Sequence, residues 1–246
     1  GTGKPSAMNS HVSASQAVRA PAERQMDSRV EAIKTAIRRS ITTAERHEEP
    51  YRHWLFQDFF PSDVFEELKG IEFPLFDLGG VSGTREAHNP DRKYFDVDNQ
   101  AAFPAVADAA AALQDPEIVG LLASHFDAPL DGTLLRIEYA QDTDGFWLKP
   151  HTDIGVKMFT LLYYLSDDPR HTDLGTDIYA DPETHSGRSP WRPNGGMIFV
   201  PSDSTWHGFE PRPIEGVRKS IIVNYVTQDW RAREQLSFPH EPVAAG

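Results

Sequence analysis

The spacing of apolar residues changes period about halfway along the chain. Met26, Val30, Ile33, Ile37 and Ile41 recur at steps of three and four, which lines them along one face of a helix predicted over 26–47. Pro50 is placed to end it. Residues 51–60 are rich in aromatic side chains and are expected to lie on the core. Pro61-Ser62-Asp63 opens a short helix that runs through Lys69. Residues 79–98, with Gly, Asn, Pro and mixed charge, read as a loop. Two more helices are expected, one over 103–113 and one over 116–126, the latter with Asp115 as N-cap and Pro116 in its first position.

After Gly132 the pattern shifts to short strand-like runs, at 133–139, 146–151, 156–165, 176–180, 196–200, 205–209 and 217–226, separated by Gly, Pro, Asp or Asn. Helices first and strands afterwards predict an α+β chain. Its expected core is a double-stranded β-helix (jelly roll) over 132–228, flanked by a helical N-terminal part over 23–131 and followed by a tail over 229–246. One domain over 23–246 is the expectation for 246 residues. Residues 1–22 are rich in Ser and Ala and are expected to be disordered, with the stretch ahead of Met8 reading as an expression remnant.

Composition narrows the chemistry. The chain has no cysteine, so a metal would have to sit on His, Asp or Glu. A net charge of −13 argues against nucleic acid and anionic membranes and favours neutral or cationic small molecules. No run reaches the roughly 18–20 apolar residues of a membrane span. No signal-peptide pattern opens the chain, so a cytoplasmic location is expected.

The tripeptide His-Thr-Asp occurs twice, at His151-Thr152-Asp153 and His171-Thr172-Asp173. The first copy lies at the end of a strand-like run, where residues i and i+2 share a face and can grip one ion. The second lies in a polar, turn-rich stretch that reads as a solvated loop. His207, in Ser204-Thr205-Trp206-His207-Gly208, supplies a third ligand. Two imidazoles and one carboxylate on one side of an ion leave adjacent positions open, an arrangement suited to Fe(II) and O2 chemistry. Arg218 and Ser220 share a face of the last strand. A guanidinium fork with a hydroxyl beside it fits the distal carboxylate of 2-oxoglutarate.

The ordered set His151-x-Asp153, Phe159-Thr160-Leu161-Leu162-Tyr163-Tyr164-Leu165, Gly175-Thr176-Asp177, Trp206-His207 and Arg218-x-Ser220 resembles the 2-oxoglutarate/Fe(II)-dependent dioxygenases, in their prolyl-hydroxylase-like branch. The resemblance covers about residues 132–228. It implies a jelly roll with iron at one mouth, decarboxylation of 2-oxoglutarate to succinate, and hydrogen abstraction from a substrate carbon. It also implies that Tyr164, or less directly Tyr139, hydrogen-bonds the distal carboxylate, although either could be a core aromatic. Related halogenases replace the carboxylate ligand by a small residue, so Asp153 favours hydroxylation, cyclisation or desaturation. Gly175-Thr176-Asp177 departs from the Gly-Gly-Glu common in that branch, so its substrates do not carry over.

For the substrate side, Trp147 is a stacking candidate and Asn224 shares the face of Arg218 and Ser220. Tyr94 lies in the charged stretch 85–96, which is either a lid or a solvated linker. The favoured function is oxidation of an unactivated C–H in a small molecule, a cationic amino sugar or amino-acid-type natural product in the first instance. The alternatives are a peptidyl or protein hydroxylase, a cupin-like metalloenzyme without 2-oxoglutarate, and a non-catalytic jelly-roll carbohydrate-binding module.

Overall fold

The computed structural model describes residues 21–246. The expectation of disorder over 1–22 therefore lies outside the described residues, except that Pro21 and Ala22 begin the first helix. That helix, α1, spans Pro21–Thr42 and buries Ile33, Ile37 and Ile41 as their spacing predicts. It stops before the predicted end at 47, because Glu45–His47 pairs as strand β1 with β2, His53–Phe56. Helices α2 (Ser62–Lys69), α3 (Val97–Ala102), α4 (Pro104–Gln114) and α5 (Pro116–Phe126) follow. The Asp115 carboxylate caps α5 by accepting from the Glu117 amide at 2.9 Å, with Pro116 in the first turn as expected.

Two antiparallel sheets make up the rest. The major sheet has the order β1-β2-β9-β6-β11-β4-β3, with β3 Lys93–Tyr94, β4 Leu134–Asp142, β6 Lys157–Tyr164, β9 Gly195–Phe199 and β11 Arg218–Val226. The minor sheet runs β5-β10-β7-β8, with β5 Leu148–His151, β7 Asp177–Asp181, β8 Thr184–Arg188 and β10 His207–Phe209. Strand β8 was not expected. Its residues are largely exposed and polar, so no apolar alternation marks it.

Alternation along three neighbouring strands sorts the interior. Leu135, Ile137 and Tyr139 on β4, Ile221, Val223 and Tyr225 on β11, and Phe159, Leu161 and Tyr163 on β6 join Ile33, Ile37 and Ile41 of α1 and the apolar faces of α4 and α5 in one core. The intervening residues, Arg136, Glu138, Asp142, Arg218, Ser220, Asn224, Thr160 and Tyr164, are buried and point the other way, towards the minor sheet. One side of the major sheet is thus an ordinary core, and the other is polar. Among the described residues no helix is long and apolar enough to cross a membrane.

Close backbone approach fixes the position of β9 between β2 and β6. A Cβ on Gly196 would stand 1.8 Å from the Leu162 carbonyl oxygen and 2.8 Å from the Phe56 ring, with strand partners on both sides. Gly196→Ala is expected to cost at least about 2 kcal/mol of stability. Urea unfolding checks this, and a midpoint equal to wild type at the same m value would refute the packing account.

Candidate metal centre and its cavity

Strands β5 and β10 set His151 directly opposite His207, with ring centroids 4.2 Å apart. Asp153 completes the group, though not by strand alternation as expected. Strand β5 ends at His151, and Asp153 takes a left-handed conformation at φ 65°, a region that Asp tolerates better than most residues. This turn carries its carboxylate between the rings, with Oδ1 3.5 Å from His151 Nε2 and Oδ2 3.5 Å from His207 Nε2. One ligand atom from each residue lies within 4.8 Å of the others.

Both imidazoles are oriented from behind. His151 Nδ1 lies 2.9 Å from the Lys149 carbonyl, and His207 Nδ1 lies 2.9 Å from the Thr205 carbonyl. A carbonyl only accepts, so each Nδ1 carries a proton and each Nε2 is the nitrogen turned to the centre. Burial, helped by His207, pushes His151 down to about 4, which keeps it neutral. Burial opposes ionisation of Asp153 as well, but His207 and Lys157 outweigh it and hold the carboxyl well below its usual range. Thr160 Oγ1 donates to Asp153 Oδ2 at 3.1 Å. Asn224 Nδ2 in turn donates to Thr160 Oγ1 at 3.1 Å, and Arg136 donates to Asn224 Oδ1 at 3.4 Å. Two imidazoles and one ionised carboxylate, converging with no thiolate, fit Fe(II) or a similar divalent ion.

The centre opens into a cavity between the two sheets. At one end stand Arg218, Ser220, Tyr164 and Thr176. Arg218 Nε donates to the Leu174 carbonyl and Nη1 to Asp142, at 2.9 and 2.7 Å, and its guanidinium rests over the Phe209 and Trp191 rings. Burial pulls its pKa below the ordinary value, with Asp142 opposing. Two aromatic planes and two fixed bonds leave the rest of the fork preorganised for a planar anion. Tyr164 stacks on Trp191 and its hydroxyl meets those of Thr176 and Ser189.

Other expected site residues lie elsewhere. Tyr139 is on the helix-facing side of β4 and donates to the Leu68 carbonyl at 2.7 Å, so it is a core aromatic that does not reach the cavity. Trp147 lies half-exposed against Gly83, outside the lining of the cavity. Tyr94 and Asn224 are buried behind the wall, each in contact with Arg136. The second His-Thr-Asp is not a solvated loop throughout. His171 is buried, with Nδ1 bonded to Ser166 Oγ and Nε2 to the Glu215 carbonyl, so both ring nitrogens are committed to structure. Asp177 likewise faces away from the cavity. Together with His185 and Glu210 it has metal-like spacing, but Arg188 and Arg212 bind its carboxylate at 2.7 and 2.6 Å.

The stretch 85–96 is neither a free linker nor a loose flap. Its 3-10 segment Arg85–Asp91 and the residue after it are fastened to β4 by two forks, Arg85 to both oxygens of Asp142 and Arg92 to both oxygens of Glu138. Arg85, Arg92, Arg136 and Glu138 all line the cavity, and none was expected there. A signal for the last two existed. Arg136 and Glu138 alternate with Leu135, Ile137 and Tyr139 in an otherwise apolar strand, which marks a polar inward face. The ion partners of that face, Arg92 and Arg85, lie 46 and 57 residues upstream of Glu138 and Asp142 and leave no local signal. The wall is basic, with six Lys or Arg side chains facing the cavity, so the net charge of the chain does not describe it.

No protein-family model and no curated protein matches the sequence. Among solved structures, the chain is similar to a prolyl-4-hydroxylase from Pseudomonas putida, at a TM-score of 0.51 and 12% identity, covering 79% of this chain and 92% of that one. It is also similar to a prolyl 4-hydroxylase from Phytophthora capsici, at a TM-score of 0.51 and 14% identity, covering 80% of this chain and 65% of that one. At such identities the likeness is one of fold, and the fold is the expected double-stranded β-helix with flanking helices.

Burial raises the Glu138 carboxyl, but Arg92, Arg85 and Arg136 outweigh it and bring its pKa down to about 2 from an ordinary 4.5. A depressed carboxylate adds stability that is complete above the unfolded value and is lost as pH falls through the folded one. Glu138 is therefore expected to contribute roughly 3 kcal/mol of the acid sensitivity between about pH 4.5 and 2. Glu138→Gln should flatten that limb of a stability–pH profile measured by urea unfolding. An unchanged slope would show that the carboxylate is not held by these arginines.

Proposed function

We propose that this chain is an Fe(II)- and 2-oxoglutarate-dependent oxygenase that oxidises an unactivated C–H bond of a small molecule. The observation that carries the reading is the convergence of His151 Nε2, His207 Nε2 and the Asp153 carboxylate in the same cavity as the clamped Arg218 fork. When bound, the metal and 2-oxoglutarate supply an oxidant through decarboxylation of the cosubstrate to succinate. His151, Asp153 and His207 would hold the metal at the wall of the cavity. Arg218 and Ser220 receive the distal carboxylate, and Tyr164 shapes that end through Trp191 and Thr176. Asp153 occupies the position that a halide would need, which supports hydroxylation, cyclisation or desaturation over halogenation.

A segment fastened to the cavity wall by Arg85 and Arg92, with Arg85 and Glu86 in the lining, supports a small substrate over a polypeptide laid in an open groove. A non-catalytic carbohydrate-binding module gives no role to two Nε2 lone pairs and a carboxylate aimed at one point. A cupin-like metalloenzyme gives none to Arg218. The expectation of a cationic substrate rested on net charge, and the basic wall of the cavity removes that support.

Anaerobic titration with Fe(II) and 2-oxoglutarate is expected to give the weak visible metal-to-ligand charge-transfer band. Wild-type protein without the band would overturn the reading. His151→Ala should lose the metal. Arg218→Ala should keep it and weaken 2-oxoglutarate by about 30- to 5000-fold in calorimetric Kd, the range for removing one partner of a buried charge pair.

A further inference from the structure

The wall of the cavity repeats one arrangement twice. Asp142 and Glu138 lie four residues apart on the same face of β4, and each carboxylate is shared by two guanidinium groups. Asp142 binds Arg85 in a fork and Arg218 through one bond. Glu138 binds Arg92 in a fork and stands 3.8 Å from Arg136. Each group of three therefore keeps one positive charge that its carboxylate does not cancel.

Arg136 is the less compensated member of its group. It is 2% exposed, its guanidinium lies 4.9 Å from the Tyr94 ring and 4.7 Å from the Trp230 ring, and its hydrogen bonds go to neutral acceptors on Gln235, Asn224 and Tyr94. Glu138, its ion partner among the described residues, is already taken by Arg92. A buried guanidinium in this state is costly unless an anion meets it. Its aromatic clamp fixes the plane in which that anion must arrive.

The charge of the whole cavity points the same way. Six cations face it, namely Arg85, Arg92, Arg136, Lys149, Lys157 and Arg218, and the carboxylates facing or paired with them are Glu86, Glu138, Asp142 and Asp153. A divalent metal and a dianionic cosubstrate cancel each other, so the surplus of positive charge persists in the loaded site.

We propose that the substrate carries a carboxylate, received at Arg136 and Arg92, as 2-oxoglutarate is received at Arg218. The inference rests on the oxygenase reading for the placement of metal and cosubstrate. Arg136, Asn224 and Thr160 stand opposite one another on β4, β11 and β6, and Thr160 touches Asp153. Adjacent strands are about 4.8 Å apart, so the backbones of Arg136 and Thr160 are separated by roughly 10 Å across the cavity wall. The oxidised carbon therefore lies several bonds from the carboxylate.

The experiment loads wild-type protein with Mn(II), which does not turn over, and saturating 2-oxoglutarate. Calorimetry then compares amino acids, N-acyl amino acids and hydrocarbon-chain acids with their methyl esters and with aminoglycosides. Acids are expected to bind at least tenfold more tightly than their esters, and Arg136→Gln and Arg92→Gln should abolish that contrast while the Kd for 2-oxoglutarate stays within twofold. Equal binding of esters, binding of aminoglycosides but not acids, binding of no acid in the panel, or an intact contrast in a folded Arg136→Gln would each overturn the proposal. Should Arg136→Gln fail to fold, the acid-to-ester contrast in wild type and Arg92→Gln decides it. Loss of Mn(II) or 2-oxoglutarate binding in wild type would be a different result, overturning the oxygenase reading and this inference with it.

Discussion

Charge buried between two sheets must be compensated in place, and most of the arrangement around the cavity follows from that requirement. Strand β4 carries Arg136, Glu138 and Asp142 on its inner face. Water cannot reach these groups freely, so each is held by an opposite charge or a stacked ring. Glu138 and Asp142 recruit Arg92 and Arg85, and in doing so they draw the ends of the 3-10 segment onto the cavity wall. Asp142 also fixes Arg218, whose remaining donors face inward. One strand face thereby positions the roof of the cavity and its anion-binding end.

The metal centre solves a related problem with fewer charges. His151 is kept neutral by burial and Asp153 ionised by its neighbours, so these two ligands meet a cation in the form that binds it. Backbone carbonyls choose the tautomer of both imidazoles, and the hydroxyl of Thr160 steadies one carboxylate oxygen. The line from Asp153 through Thr160 and Asn224 to Arg136 crosses three strands of the major sheet. Metal ligand and cavity wall are therefore parts of one hydrogen-bonded network, and the position of one constrains the other.

Much of this was legible in the sequence, and the reasons are local. Helical spacing marked Ile33, Ile37 and Ile41, and Asp115-Pro116 marked the start of α5. The strand-like context of the first His-Thr-Asp separated it from the second. What was hidden depends on contacts between distant segments or on backbone geometry. The left-handed turn at Asp153 has no signature beyond a residue type that tolerates it. Tyr139 and Tyr164 look alike in sequence, and only strand parity and registration place one on the helices and the other in the cavity. The forks from Arg85 and Arg92 join residues 57 and 46 positions apart. Gly175 of the Gly-Thr-Asp motif has a packing reason that sequence does not announce, since a Cβ there would lie 1.8 Å from the Ser189 carbonyl oxygen.

Net charge says least about ligands, and the reason is one of distance. Exposed carboxylates act through water and salt, with a reach of about 8 Å at physiological ionic strength. Inside the cavity the same law acts across a few ångströms of low-dielectric wall, where a single unpaired guanidinium outweighs many screened surface charges. A chain of charge −13 can thus present a basic interior. Under the proposed function it must, because 2-oxoglutarate is itself a dianion that has to enter past an acidic surface. An acidic exterior and an anionic ligand already coexist in that reading, so the exterior has no veto over a second anion. In the proposed complex the sign of the substrate is set at Arg136 and Arg92, and the surface is left to govern solubility and rate of encounter.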